Sequence, residues 1–144
     1  MSYALDVNIL LYASDRSSPF HSRAGEFLGE CVSRREVFCV AWATLISYLR
    51  IATHPSIFRR PLLPDEAQHN IEALLKVPHL RVLSEEEGFW DVFREVCRAL
   101  PVRGNLTPDA HLAALLRQHG IPVLYTSDRD FLKFGFLEIR DPFG

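Results

Sequence analysis

The sequence predicts an α/β fold, a mainly parallel sheet covered by helices on both faces. Two observations carry this reading. Short apolar runs, "YAL", "VFCVA", "LRVL", "IPVLYT" and "LEIR", recur along the chain and are too short to be helices. Between them lie longer stretches with apolar residues three and four apart, so helix and strand alternate. With 144 residues, 48% apolar and 24% charged, the chain has the make-up of one domain spanning 1–144, and no repeat, linker or low-complexity segment divides it.

The first run, residues 3–5, reads as a strand; Asp6 follows it, and Val7, Ile9, Leu10 and Leu11 open a helix. Ala24, Phe27, Leu28 and Val32 form one apolar face over 20–34, the pattern of an amphipathic helix. After the strand "VFCVA", residues 44–53 read as helix. Pro55, Pro61 and Pro64 then break the chain before a helix with Asp65 and Glu66 in its first turn. The strand "LRVL" ends at Ser84, which with Glu87 three residues on has the form of a capping box for a helix reaching about Leu100. "RGNL" is a loop. In "TPDAHLAALLRQHG", Thr107 reads as N-cap, Pro108 as first helical residue and Gly120 as terminator. "IPVLYT" and "LEIR" close the alternation as strands.

Composition excludes several classes. A net charge of -2 and a pI near 6.3 give no global attraction to nucleic acid, so a polyanion would need a local patch or metal ions. Cys31, Cys39 and Cys97 are odd in number and scattered, which argues against a disulfide framework or a zinc site and for a reduced, cytoplasmic setting. The N-terminal apolar run is broken by Asp6 and Asn8 and lacks a basic flank, so it is no signal peptide, and no run reaches the ~20 residues of a membrane span.

The chemistry lies in the acids. In an open parallel sheet, ligands bind beyond the carboxyl ends of the strands. Asp6 follows one strand, Asp128 and Asp130 of "TSDRDF" follow another, and Asp109 stands in the first turn of a helix. Each has a plain structural reading. Asp6 caps a helix, Asp109 complements a helix dipole for ~0.3–1 kcal/mol, and Asp128 and Asp130 form a turn. None of these explains why all the acids fall at one end of the sheet. Clustered carboxylates raise one another's pKa and call for cations, and hard oxygen ligands select Mg²⁺ or Mn²⁺.

"LDVNILLYASD", "TPDAHLAALLRQHG" and "TSDRDF", in this order, resemble the PIN-domain ribonucleases, in particular the VapC toxins of toxin-antitoxin pairs; "YLRIATHPSIF" and "RGNL" extend the resemblance over essentially the whole chain. It implies a PIN-like three-layer α/β/α sandwich and a Mg²⁺-dependent endoribonuclease acting on structured RNA, tRNA or rRNA. It also implies a homodimer and a VapB-type antitoxin that covers the site. Asp6, Asp109 and Asp128 match the metal-binding acids, and Asp130 is the adjacent acid of the "D-x-D-F" ending. One position departs: Ser47 in "TLISYLRI" stands where the family usually has a glutamate, which offers a hydroxyl but no charge and implies weaker metal binding. A catalytically weak or inactive PIN-like module that binds antitoxin or RNA is therefore the alternative. A haloacid-dehalogenase-like phosphatase is disfavoured because its second aspartate is Asn8 here.

Asn8, Ser47 and Thr126 are candidates for supporting the acids, and Arg50, His54, Arg59 and Arg60 for contacting RNA by counterion release. His111 reads as structural or surface. Trp42, Tyr48, Phe58, Trp90 and Phe93 read as core or partner contacts rather than base-stacking platforms.

Overall fold

Residues 2–144 are described by a computed structural model, whose central sheet has five strands. β1 is Tyr3–Leu5, β2 Phe38–Ala41, β3 Leu80–Leu83, β4 Val123–Tyr125 and β5 Glu138–Arg140. Their order is β3-β2-β1-β4-β5 and every pairing is parallel. The helices are α1 (Val7–Ser14), α2 (His21–Ser33), α3 (Trp42–Ala52), α4 (Pro64–Leu75), α5 (Phe89–Arg98) and α6 (Leu106–Gln118), with a 3-10 turn at Arg129–Lys133.

Side chains alternate across the strands and build a core on each face. Tyr3, Leu5, Phe38, Val40 and Val123 pack with Leu10, Leu45, Tyr48, Ala67 and Leu74, residues of α1, α3 and α4. Ala4, Cys39, Ala41 and Leu124 face the other way, onto Val96 of α5 and Ala110 to Leu116 of α6. The expected three-layer sandwich is the result. α6 is the most buried helix, because the small residues Ala110, Ala113 and Ala114 let it lie close to the sheet.

Three helix starts differ from the sequence expectation. α3 begins at Trp42, directly after β2, rather than at 44. Ser84 caps nothing: α5 begins at Phe89 after Gly88, whose φ is +83°. The segment before it is held by α6 instead, with His119 Nε2 at 2.8 Å from the Ser84 carbonyl oxygen and the Glu86 N–H donating to Gln118 Oε1 at 3.0 Å. α6 begins at Leu106, not after a Thr107 cap. Gly104, at φ +58°, turns the chain so that the Thr107 N–H reaches its carbonyl at 3.0 Å. Pro108 then falls third in the helix, still within the first turn, where N–H groups have no intrahelical acceptor. Gly120 ends α6 as expected, at φ +69°.

Candidate active site

In a parallel sheet every strand ends on the same side, and here that side collects the acids. The β1–β4 ladder continues one residue past β1, where the Asp6 N–H donates to the Tyr125 carbonyl at 3.0 Å, so Asp6 comes beside Thr126. Asp6 Oδ1 accepts from the Val7 N–H at 2.7 Å and caps α1. Its Oδ2 accepts from the Thr126 hydroxyl at 2.8 Å. The capping reading and the site reading of Asp6 are both realised, one oxygen serving each.

Thr126 is 1% exposed and its hydroxyl is fully used. It donates to Asp6 and accepts from the Asp128 N–H and from Asn8 Nδ2, each at 3.0 Å. Asn8 Nδ2 also lies 3.4 Å from Asp6 Oδ2, and Asn8 Oδ1 accepts from the Ser127 N–H at 3.4 Å. Asn8 and Thr126 thus join the end of β1 to the turn that carries Asp128. In that turn the Asp130 N–H donates to Asp128 Oδ1 at 2.9 Å. Asp109, in the first turn of α6, completes the convergence: Asp109, Asp128 and Asp130 each offer a carboxylate oxygen within 4.8 Å of the others.

Asp6 stands next to this group rather than in it. The sequence expectation set Asp130 beside a metal set of Asp6, Asp109 and Asp128; in the structure Asp130 is one of the three clustered carboxylates. The signal was the D-x-D spacing, which a tight turn folds onto one side. Electrostatics mark the same place. Burial first, then the charges of Asp128, Asp6 and Asp130, push the Asp109 carboxyl up to about 7 from an ordinary 3.8. Burial also raises Asp6, against the lowering effect of its bonds from Thr126 and Val7. Lys133 Nζ, 3.6 Å from Asp130 Oδ1, is the nearby counter-charge. Several hard oxygen donors around one point, short of cationic partners, suit a divalent ion such as Mg²⁺ or Mn²⁺.

The other candidates are not bonded to this group. Ser47 is half-buried on α3 and makes no hydrogen bond to Asp6, Asp109 or Asp128. Arg50 is in the last turn of α3, and His54, Arg59 and Arg60 follow it. α3 starts at the acid side and its 11 residues run about 16 Å, so this basic group sits at and beyond its far end. Arg60 lines a groove with Ser14, Arg16, Tyr48 and Asn70, not with the acids. His111 bonds Glu85, and Tyr48 is buried with its hydroxyl between Ser14 and Asn70, both structural roles. Phe58 is core, whereas Trp42 and Trp90 are 47% and 65% exposed.

Comparison with known proteins agrees with this geometry. The family model described as PIN domain matches residues 3–137. Ribonuclease VapC48 of Mycobacterium tuberculosis is 43% identical over 143 residues, 99% of each chain. Ribonuclease VapC24 of the same species is 31% identical, covering 96% of this chain and 95% of its own. Among solved structures, Mycobacterium tuberculosis VapC20, described as a sarcin-ricin loop cleaving toxin, superposes with TM-score 0.70 at 20% identity over 96% of this chain and 98% of its own. VapBC-1 from nontypeable Haemophilus influenzae gives TM-score 0.70 at 19% identity with both chains fully covered. A full-length sequence match, an all-parallel sheet in this strand order and acids gathered at its carboxyl side lead to one conclusion: the chain belongs to the PIN domain family, among the VapC ribonucleases.

Proposed function

We propose that this protein is a Mg²⁺-dependent endoribonuclease, with Mn²⁺ as a substitute, and the toxin of a VapBC-type pair that cuts structured RNA such as tRNA or rRNA. The observation that carries the reading is the convergence of Asp109, Asp128 and Asp130 beside Asp6, joined through Thr126. Asp6, Asp109 and Asp128 hold the metal, and Asp130, the most exposed of the four, keeps water at the open side. When bound, the ion neutralises charge on the phosphoryl oxygens and makes water acidic enough to attack at neutral pH. The residues do the rest. Thr126 and Asn8 fix the Asp6 carboxylate so that it keeps a free lone pair toward the ion. Asp109, pushed up to about 7 by burial and its neighbouring acids, is the carboxylate whose ionised form a bound cation would stabilise most. A VapB-type antitoxin restrains the enzyme, and the chain, one PIN domain over 1–144, acts as a homodimer; solved relatives include a VapBC complex bound to a promoter DNA fragment.

The test is cleavage of purified transfer RNA with Mg²⁺, with EDTA, and by Asp109→Asn. Cleavage is expected only from wild type with Mg²⁺; equal cutting in all three would remove the reading. Ser47 supports the second reading, a weak or inactive module that only binds antitoxin or RNA, because an uncharged hydroxyl cannot replace a glutamate ligand. Ser47→Glu separates the two. Tighter Mn²⁺ binding with cleavage retained fits a nuclease with a reduced ligand set, whereas no cleavage by either form fits the binding module.

A further inference from the structure

A cluster of carboxylates repels the substrate it is meant to cut. RNA is a polyanion and this chain carries a net charge of -2, so phosphate must be held by cations close to the acids. The basic group past the end of α3 is not close. Two other arginines flank the acids along the chain. Arg129 lies in the chain between Asp128 and Asp130, at the start of the 3-10 turn, and is exposed. Although carboxylates flank it on both sides, its guanidinium pairs with neither; Lys133 makes the ion pair to Asp130 instead. Arg103 is exposed on the loop that enters α6, its carbonyl accepting from the Leu106 N–H at 3.3 Å, which ties it to the start of the helix whose first turn carries Asp109. Its guanidinium also has no partner among the described residues. Several other arginines, Arg34, Arg117 and Arg140, are engaged by glutamates.

We propose that Arg103 and Arg129 are a phosphate clamp, holding RNA backbone phosphates on the two sides of the carboxylate cluster. Arg103 approaches from the α6 side and Arg129 from the β4 side, so the phosphodiester between them is presented to Asp109 and Asp128. Both are positioning residues, and they contact backbone rather than bases, so they add affinity without choosing sequence. The assignment rests on the nuclease reading above and names which cations serve it.

The test is the salt dependence of binding. A fluorescent stem-loop RNA is titrated with full-length protein in Ca²⁺, between about 50 and 200 mM KCl, with Mg²⁺-dependent cleavage of the same RNA run alongside. Arg103→Ala and Arg129→Ala should each weaken binding and lower the slope of log K against log salt by about 1, with unchanged melting temperatures. Arg35→Ala removes an exposed arginine between α2 and β2, on the opposite side of the sheet, and should leave the slope alone. The clamp is overturned if either site variant binds like wild type, if Arg35→Ala costs as much, or if an Arg59→Ala/Arg60→Ala double variant carries the slope instead. A wild type that neither binds nor cuts this RNA defeats the nuclease reading and the clamp together; one that does both, with unaltered site variants, defeats the clamp alone.

Discussion

Asp109 makes the site's electrostatics measurable without any substrate. Its folded carboxyl sits at about 7 and its ordinary value is 3.8. Between those values the folded state binds more protons than the unfolded one, so stability falls as pH rises through that window. Asp6, also raised, steepens the fall. In EDTA the melting temperature should therefore drop between about pH 4 and 7, and Asp109→Asn should flatten most of that drop; a flat or rising wild-type profile would contradict it. Thr126 gives a second residue-scale prediction. Thr126→Val keeps the shape but strips Asp6 Oδ2, the Asp128 N–H and Asn8 Nδ2 of a shared partner. A buried group left unsatisfied costs about 1–3 kcal/mol, and Thr126→Ser, which restores the hydroxyl, should recover most of it in a urea titration. Asp6, Asp109 and Asp128, the acids proposed to hold the metal, were legible as residues because each sits at a sequence-visible strand end or helix start. Arg103 and Arg129 were not, because they matter only once the start of α6 has met the end of β4. Asp130 was half legible: its spacing was visible, but its place among the clustered carboxylates depends on the turn that bonds it to Asp128.

At the scale of elements, local signals failed where a distant partner outbid them. Ser84 and Glu87 have capping-box spacing, yet His119 and Gln118 hold that segment against α6. The chain then re-enters helix through Gly88, whose left-handed conformation favours glycine. A methyl group there would meet open space, so the penalty for Gly88→Ala is purely conformational. It should destabilise the protein by about 1–2 kcal/mol, read as a lower urea midpoint with an unchanged slope, while an alanine at Gly25, which lies within α2 and also faces open space, should be neutral or stabilising. The strands were easier to read than the helix starts. The apolar runs of β1 and β2 are buried on both faces, whichever helix covers them, so burial and sequence agree there without help from long-range contacts.

For the molecule as a whole, β1 lies at the middle of the sheet with β2 on one side and β4 on the other. Phe38 of β2, 0% exposed, stacks on Tyr3 of β1 and packs in the core under α1, α3 and α4. Phe38→Ala should cost about 3–5 kcal/mol, a large share of the roughly 5–15 kcal/mol that holds a domain folded. Its signature should be a broad loss of amide protection in α1, α3 and α4; loss confined to β2 would show that the layers unfold separately. The same central strand has a consequence for the cell that makes the protein. Asp6 is translated well before the hydroxyl that orients it, which belongs to Thr126, 120 residues later. At about 5–20 residues per second, roughly 6–24 s of synthesis separate the two. No nascent chain can assemble the carboxylate cluster before β4 and its turn exist. A ribosome that stalls between the two therefore leaves a fragment that carries Asp6 without the hydroxyl that orients it, so a truncated chain holds one acid of the site and none of its assembled geometry.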